Sequence, residues 1–448
     1  MSGSVFMSPN PTSMLAPVGK HTAHYLDVVE KFRADPERSY HHHHLMINFQ
    51  ILGPFDAAKF KAALHKLAKV QPAFRLSFQK AGPAWTQSIA DEPANGFIEH
   101  KTFGPEVTNW RNTTRDLIIA ENEIAFRMTG EPLIKFTILE FPTHNAAVFL
   151  TKFHHIVCDG WGILVALSQL LALYEAELQG VNAPAPAMQP SDFLAIAAAE
   201  NAFLASKDGE KRMAWWRKYL SDHAFIQKPL AERPQGRLAA CIDHLSFETS
   251  AKLFKLAEQK GVHFSYLIHA AFTKALATWT KSDDVMVTFV KANRNDANSA
   301  VVGNFADWVT VRHQLDLKAP LGDIAKAAEH DVNQAKENYL PYWHIVEQIC
   351  PHQYFNDFGI TPYSFDFMPE FNPKIDFGGK ASFLLLRDLE VFPFRLTATD
   401  IFCRTTLVGD LDKKERKIEI FLIYHGGYLK EDQVRGVLNE MKAALEAA

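Results

Sequence analysis

The chain lacks an excess of charge of either sign. Its 448 residues carry 47 Lys and Arg against 51 Asp and Glu, a formal net charge of −4. No basic excess points to nucleic acid, and no acidic tail is visible. Cysteine is scarce. Cys158, Cys241, Cys350 and Cys403 lie far apart with no CxxC pair, which predicts free thiols in a reducing cytoplasm. The first residues, MSGSVFMSPNPTSMLAPVGK, lack the basic start and apolar run of a secretory signal. Trp161 to Tyr174, the longest apolar-rich stretch, is interrupted by Ser168 and Gln169 and reads as too short to span a bilayer. No GxSxG elbow, P-loop or full GxGxxG occurs, and DGWG runs directly into Ile163. No internal repeat is evident.

What is present is a composition of 47% apolar and 22% charged residues, with 34 phenylalanines. These bounds fit one very large domain or two of ordinary size. So many Phe side chains can fill large cores or line an apolar channel, and composition alone does not separate the two. Strands are predicted at His44–Gly53, Pro132–Phe141 and Asn145–His155, the last two joined by PTH. A helix follows from about Asp56 to Val70, and another over Trp161–Gln179, with Leu164, Leu167, Leu171 and Tyr174 at helical spacing. GVNAPAPAMQPSD then reads as an inter-domain linker. The second half repeats this grammar: helix HFSYLIHAAFTKALATWT, strands DVMVTFVKA, ADWVTVRHQL and KIEIFLIYHGG, and a final helix KEDQVRGVLNEMKAALEA. The pattern predicts an α/β (α+β) protein with residues 1–180 and 193–448 as two lobes and 181–192 as the linker.

Polar chemistry concentrates in FHHIVCDGWG, where His154, His155, Asp159 and Gly160 sit at a strand-to-helix junction. Ligands bind at such open sheet ends. Gly160 suits a tight turn, and the start of the following helix offers free amides to a developing oxyanion. An Asp before a helix is ordinarily an N-cap, and a His at a strand end is ordinarily a satisfied core group. Both readings stay open at this level. A metal site has little support, because His155 and Asp159 find no third ligand nearby. The run His41–His44 is the other histidine cluster, and its side chains alternate between strand faces.

HHIVCDG matches HHxxxDG, and FHHIVCDGWGI extends the match. KVQPAFRLSF, QPSDFLAIA, WWRKYL and the stretch holding Gly303, Phe305 and Arg312 fall in the same order as further landmarks. The chain therefore resembles the condensation-domain superfamily of acyltransferases from about Leu45 to Glu446. Departures are Cys158 in place of a small Ser, Asp307 in place of an Asn, and Ser364 and Asp366 near a usual tunnel Asn. DFGGK only partly echoes the motif of plant-type CoA-dependent enzymes. The Ser-Trp that follows the motif in epimerisation domains is absent.

The resemblance implies two chloramphenicol-acetyltransferase-like lobes in a V-shaped pseudo-dimer with a central tunnel. It implies His155 as the catalytic group, with Asp159 and Gly160 completing the motif and His154 structural. It pairs Asp159 with Arg294, expected from the other lobe. Trp161, Asn304, Ser364 and Asp366 are expected along the tunnel, and Cys158 reads as a small buried residue rather than a nucleophile. The implied activity is that of a free-standing acyltransferase, since no adenylation or carrier segment can be placed. No resident cofactor or metal is expected. The donor is expected on a carrier protein's phosphopantetheine arm, supplied in trans, or on CoA. An amine or alcohol is the expected acceptor, and amide, ester and catalytically silent readings remain open. A monomer without nucleic-acid or membrane partners is expected. Lys207, Lys211, Arg212, Arg217 and Lys218 are candidate carrier-docking cations.

Overall fold

The computed structural model describes residues 15–32, 43–128, 131–182, 188–223, 238–355, 359–368, 374–377, 381–386, 401–410 and 415–448. His41 and His42, residues 183–187 of the linker, and Gly378–Lys380 of DFGGK lie outside the described residues. The chain divides into two compact units, one formed by 1–203, 292–306 and 372–395, the other by 204–291, 307–371 and 396–448. A single boundary near 181–192 is thus replaced by a chain that returns twice to the first unit.

The first unit contains β1 (Ala16–Pro17), α1 (Lys20–Lys31), β2 (His44–Leu52), α2 (Ala57–Val70), β3 (Leu76–Ala81), β4 (Ala84–Ile89), β5 (Ile98–Thr102), α3 (Trp110–Glu123), β6 (Ile134–Phe141), β7 (Ala146–His154), α4 (Gly160–Gln179) and α5, which starts at Pro190. Among the described residues, β1, β4 and β3 form one small sheet. The larger sheet runs β12–β13–β2–β7–β6–β5, with β12 (Lys374–Phe377) and β13 (Ala381–Leu385) supplied by the second return. There β13 lies antiparallel to β2, Phe383 opposite Ile51. Phe383 stacks on Phe149 of β7, and Phe60 of α2 meets Phe149 edge to face. Phe49, Phe136 and Phe153 are fully buried in the same unit. Part of the phenylalanine content is therefore core, each buried ring contributing roughly 1.5–3 kcal/mol.

The second unit holds α6 (Lys207–Tyr219), β8 (Leu238–His244), α7 (Phe247–Lys260), α8 (Phe264–Thr280), β9 (Asp284–Lys291), β10 (Asp307–Gln314), α9 (Leu321–Glu337), α10 (Tyr342–Ile349), β11 (Tyr363–Phe367), β14 (Ile401–Asp410), β15 (Glu415–His425) and α11 (Glu431–Glu446). Its mixed sheet is ordered β10–β9–β11–β14–β15–β8, with β11 parallel to both neighbours. All four cysteines are free and buried.

Asp56 caps α2 and Asp159 caps α4, each through its side chain. Gly180, left-handed at φ 69°, ends α4. The helix is longer than Trp161–Tyr174: it has 20 residues and is long and apolar enough by length and composition to cross a membrane, with half of that window buried inside the protein. It packs on α2, and its buried residues include Ile163, Leu167, Leu170 and Tyr174.

Candidate active site

Strand β7 delivers the histidine pair at its end. His154 is fully buried; its Nδ1 accepts the Ile156 N–H at 3.0 Å, and its ring meets Phe126 edge-on. His155 is half-buried, and its N–H donates to the His43 carbonyl at 2.8 Å. The strand is anchored by Lys152, two residues before His154. Its buried Nζ donates to the Glu121 and Ile124 carbonyls at the C-terminus of α3. Burial lowers the Lys152 ammonium to about 8, against the opposing charge of Glu121.

Asp159 satisfies both sequence readings at once. Oδ1 accepts the Gly162 N–H at 2.7 Å, which makes it the α4 cap, and also takes the Arg294 guanidinium. Oδ2 accepts the Phe305 and Ala306 N–H groups at 2.8 and 2.9 Å. Arg294 also donates to the carbonyls of Asn298, Val301 and Gly303. Both side chains are nearly inaccessible, 2% for Asp159 and 6% for Arg294, so this pair is desolvated. Arg294 belongs to segment 292–306 and therefore to the first unit, not to the second as the resemblance suggested. Cys158, beneath this node, has its thiol pushed well above the usual range by burial, with Asp159 adding to the shift, which keeps it protonated and inert.

The close-packed glycine is Gly162 rather than Gly160. Gly160 is exposed, is not among the left-handed glycines, and a Cβ there would meet nothing within 4 Å. The tight-turn requirement expected of it is absent, and open space adjoins its backbone. At Gly162 a Cβ would lie 2.9 Å from Cys158 Sγ, 3.0 Å from the Gly303 carbonyl and 3.2 Å from Asp159 Oδ1. Gly162→Ala is therefore expected to lower stability by roughly 1–3 kcal/mol through overpacking, with Gly160→Ala close to neutral. Chemical denaturation of the two variants checks this, and equal midpoints for both would contradict it.

Segment 292–306 is fastened to the first unit by more than the ion pair. Trp161 Nε1 donates to the Ser299 carbonyl at 2.9 Å. Gln169 and Gln71 both donate to the Ala300 carbonyl, and Gln71 Oε1 accepts the Val302 N–H. Trp161, expected on a tunnel wall, thus holds this segment, while 44% of it remains exposed. Asn304 Oδ1 is buried without a hydrogen-bond partner among the described residues. Ser364 and Asp366 lie on β11 of the second unit. Ser364 is buried. Burial raises the Asp366 carboxyl, with Arg404 opposing. Gln71, Gln169 and Gly162 were not singled out from the sequence, because only the folded return of 292–306 gives them a purpose. Among the described residues no group of three His, Cys, Asp or Glu side chains could hold a metal ion.

A paired-histidine strand end, followed by an Arg-locked Asp that caps the next helix, on a mixed α/β scaffold, defines a chloramphenicol-acetyltransferase-like fold carrying HHxxxDG. The chain belongs to the condensation-domain family, whose model matches residues 32–358. It is 24% identical over 326 residues to bacitracin synthase 3 of Bacillus licheniformis, and 23% identical over 316 residues to tyrocidine synthase 3 of Brevibacillus parabrevis. Those matches cover 69% and 67% of this chain but span only 5% of each relative's own length. Among solved structures, the X-domain from teicoplanin biosynthesis superposes with a TM-score of 0.79 at 18% identity, covering 99% of this chain and 97% of that one. SgcC5 from Streptomyces globisporus gives 0.74 at 16%, with 96% and 98% covered. The starter condensation domain of rhizomide synthetase RzmA gives 0.76 at 14%, with 97% and 95% covered. At these identities the structural likeness concerns the fold.

Proposed function

We propose that the chain transfers an acyl group from a phosphopantetheine thioester on a carrier protein to an amine, forming an amide. The observation that supports this reading is the intact motif: half-buried His155 directly after β7, with Asp159 locked at the start of α4 by its ion pair. The amine nitrogen attacks the thioester carbonyl carbon, a C–N bond forms and the C–S bond breaks. His155 takes the amine proton, and the departing sulfur ends as a thiol. An imidazole suits this because its ordinary pKa lies near neutrality. Exposed Gly160 leaves the start of α4 open to the substrate, where helix amides favour developing negative charge.

One assay tests the reading against three alternatives, each matching a solved relative. RzmA was solved with C8-CoA and Leu-SNAC, SgcC5 with a naphthyl diol, and a teicoplanin X-domain in complex with OxyB. The assay offers carrier-loaded and CoA-loaded acyl donors to a panel of amines and alcohols across a salt series. Lys207, Lys211, Arg217 and Lys218 are exposed on α6, whereas Arg212 is engaged with the Tyr339 carbonyl. Charge-led carrier docking predicts that KM for the carrier donor rises with salt while that for the CoA donor barely moves. Equal efficiency with both donors at every salt concentration supports a CoA-dependent enzyme, and ester products support O-acyl transfer. No turnover in any arm supports a recruiting module.

A further inference from the structure

The histidine run that leads into β2 has no part in the proposed chemistry, yet the fold places His43 against His155. The His43 ring lies 4.8 Å from the His155 ring, centroid to centroid. It also stacks on Tyr25 at 5.2 Å and 15°. Tyr25 itself stacks on His21 at 5.1 Å, one turn earlier on α1. Tyr25 also lies 6.4 Å from the His155 ring, at 29°. The backbone closes the same unit, because the His155 N–H donates to the His43 carbonyl at 2.8 Å. Tyr25 is buried at 3% exposure and gives this ladder a fixed base.

We propose that His43 is a positioning residue for His155: its ring, stacked on buried Tyr25 and packed against His155, fixes the plane in which the His155 imidazole meets the substrate. This inference rests on the reading of His155 as the acid–base group. A base that must meet a proton along one direction loses rate when its ring is free to turn. The contact works best with a neutral ring, since two adjacent imidazolium ions repel. Burial, followed by the charges of His155, His154, His21 and His44, lowers the His43 imidazole well below its usual range. A neutral aromatic side chain should therefore substitute for it.

The test compares His43→Ala, His43→Phe, His155→Ala and the double variant His43→Ala/His155→Ala, using single-turnover rates and the imidazole NMR signals of His155. His43→Ala is expected to lower the rate at saturating donor about 10-fold or more and to leave KM within about twofold, the signature of an interaction made only in the transition state. His43→Phe is expected to restore the rate to within about threefold of the unaltered chain, because the ring contact persists. The double variant should be no slower than His155→Ala, since residues acting as one unit are not additive. In the spectrum, His43→Ala should shift and broaden the His155 ring signals, and His43→Phe should keep them sharp. Equal losses in His43→Ala and His43→Phe, or a further loss in the double variant, would overturn the proposal. If His43→Ala does not fold, His43→Phe and the spectrum decide, and a slow His43→Phe with disordered His155 signals counts against it. Full activity in His155→Ala would instead refute the role of His155, while the spectrum would still judge the contact.

Discussion

His155→Ala is expected to lower the rate of acyl transfer by roughly 10²–10⁴ while the protein stays folded. That range is the usual contribution of a positioned acid–base group. In the proposed reaction the thioester is already a good electrophile, which leaves two tasks to the protein: to orient the amine and to manage one proton. His155 stands half-buried beside the exposed start of α4, where the proposal has both tasks meet. Its side chain is not part of the Asp159 node, and its backbone N–H bond to His43 survives truncation to Ala. Stability should therefore change little. Steady-state kinetics with a carrier-loaded donor, alongside thermal melts, provide the check. Near-normal turnover in the variant would remove His155 from the mechanism. A collapse of the melting transition would show that it serves the fold instead.

The second large effect concerns the ion pair beneath it. Asp159→Ala leaves three backbone N–H groups and a buried guanidinium without their carboxylate, and Arg294→Ala leaves the carboxylate and three carbonyls without their cation. Each substitution is expected to cost about 3–5 kcal/mol, the penalty of stranding one member of a buried pair. The double variant should cost clearly less than the sum, with a coupling energy of at least about 1 kcal/mol. Activity should fall in both single variants, because the same bonds hold segment 292–306 against the start of α4. Denaturant titrations around the four-protein cycle measure this, and strict additivity would break the pairing. Exposed ion pairs contribute much less, so a coupling that vanishes in high salt would also show that the pair is not desolvated as the structure has it.

The strand ending in FHH, the turn and the helix after it were legible because each is encoded within a few residues. The apolar run 146–150 opens β7, a strand buried at nearly every position, Asp159 supplies a side-chain cap, and Gly180 stops the helix. The HHxxxDG spacing depends on that same local geometry, so the family resemblance was readable without coordinates. The joined ends of β6 and β7 were readable too: PTH forms the turn, and Asn145 adopts the left-handed backbone that the reversal needs.

Local pattern could not reveal which parts of the chain come home to the first unit. Arg294 reaches Asp159 across 135 residues of sequence. Strand β13 joins β2 from the far end of the chain, Phe383 opposite Ile51. Neither contact leaves a periodicity at either end. The identity of the close-packed glycine was hidden for the same reason, since Gly162 is confined by the Gly303 carbonyl, an atom its own helix does not supply. His43 likewise gains meaning only from α1, whose Tyr25 stacks on its ring and also reaches the His155 ring. Hydrogen bonding and side-chain period act over one turn or one strand pair, so the sequence alone determined the elements and the motif they present. Burial and long-range pairing act on whichever surfaces the folded chain brings together, and only the tertiary structure decided how Asp159 is locked and what stands against His155.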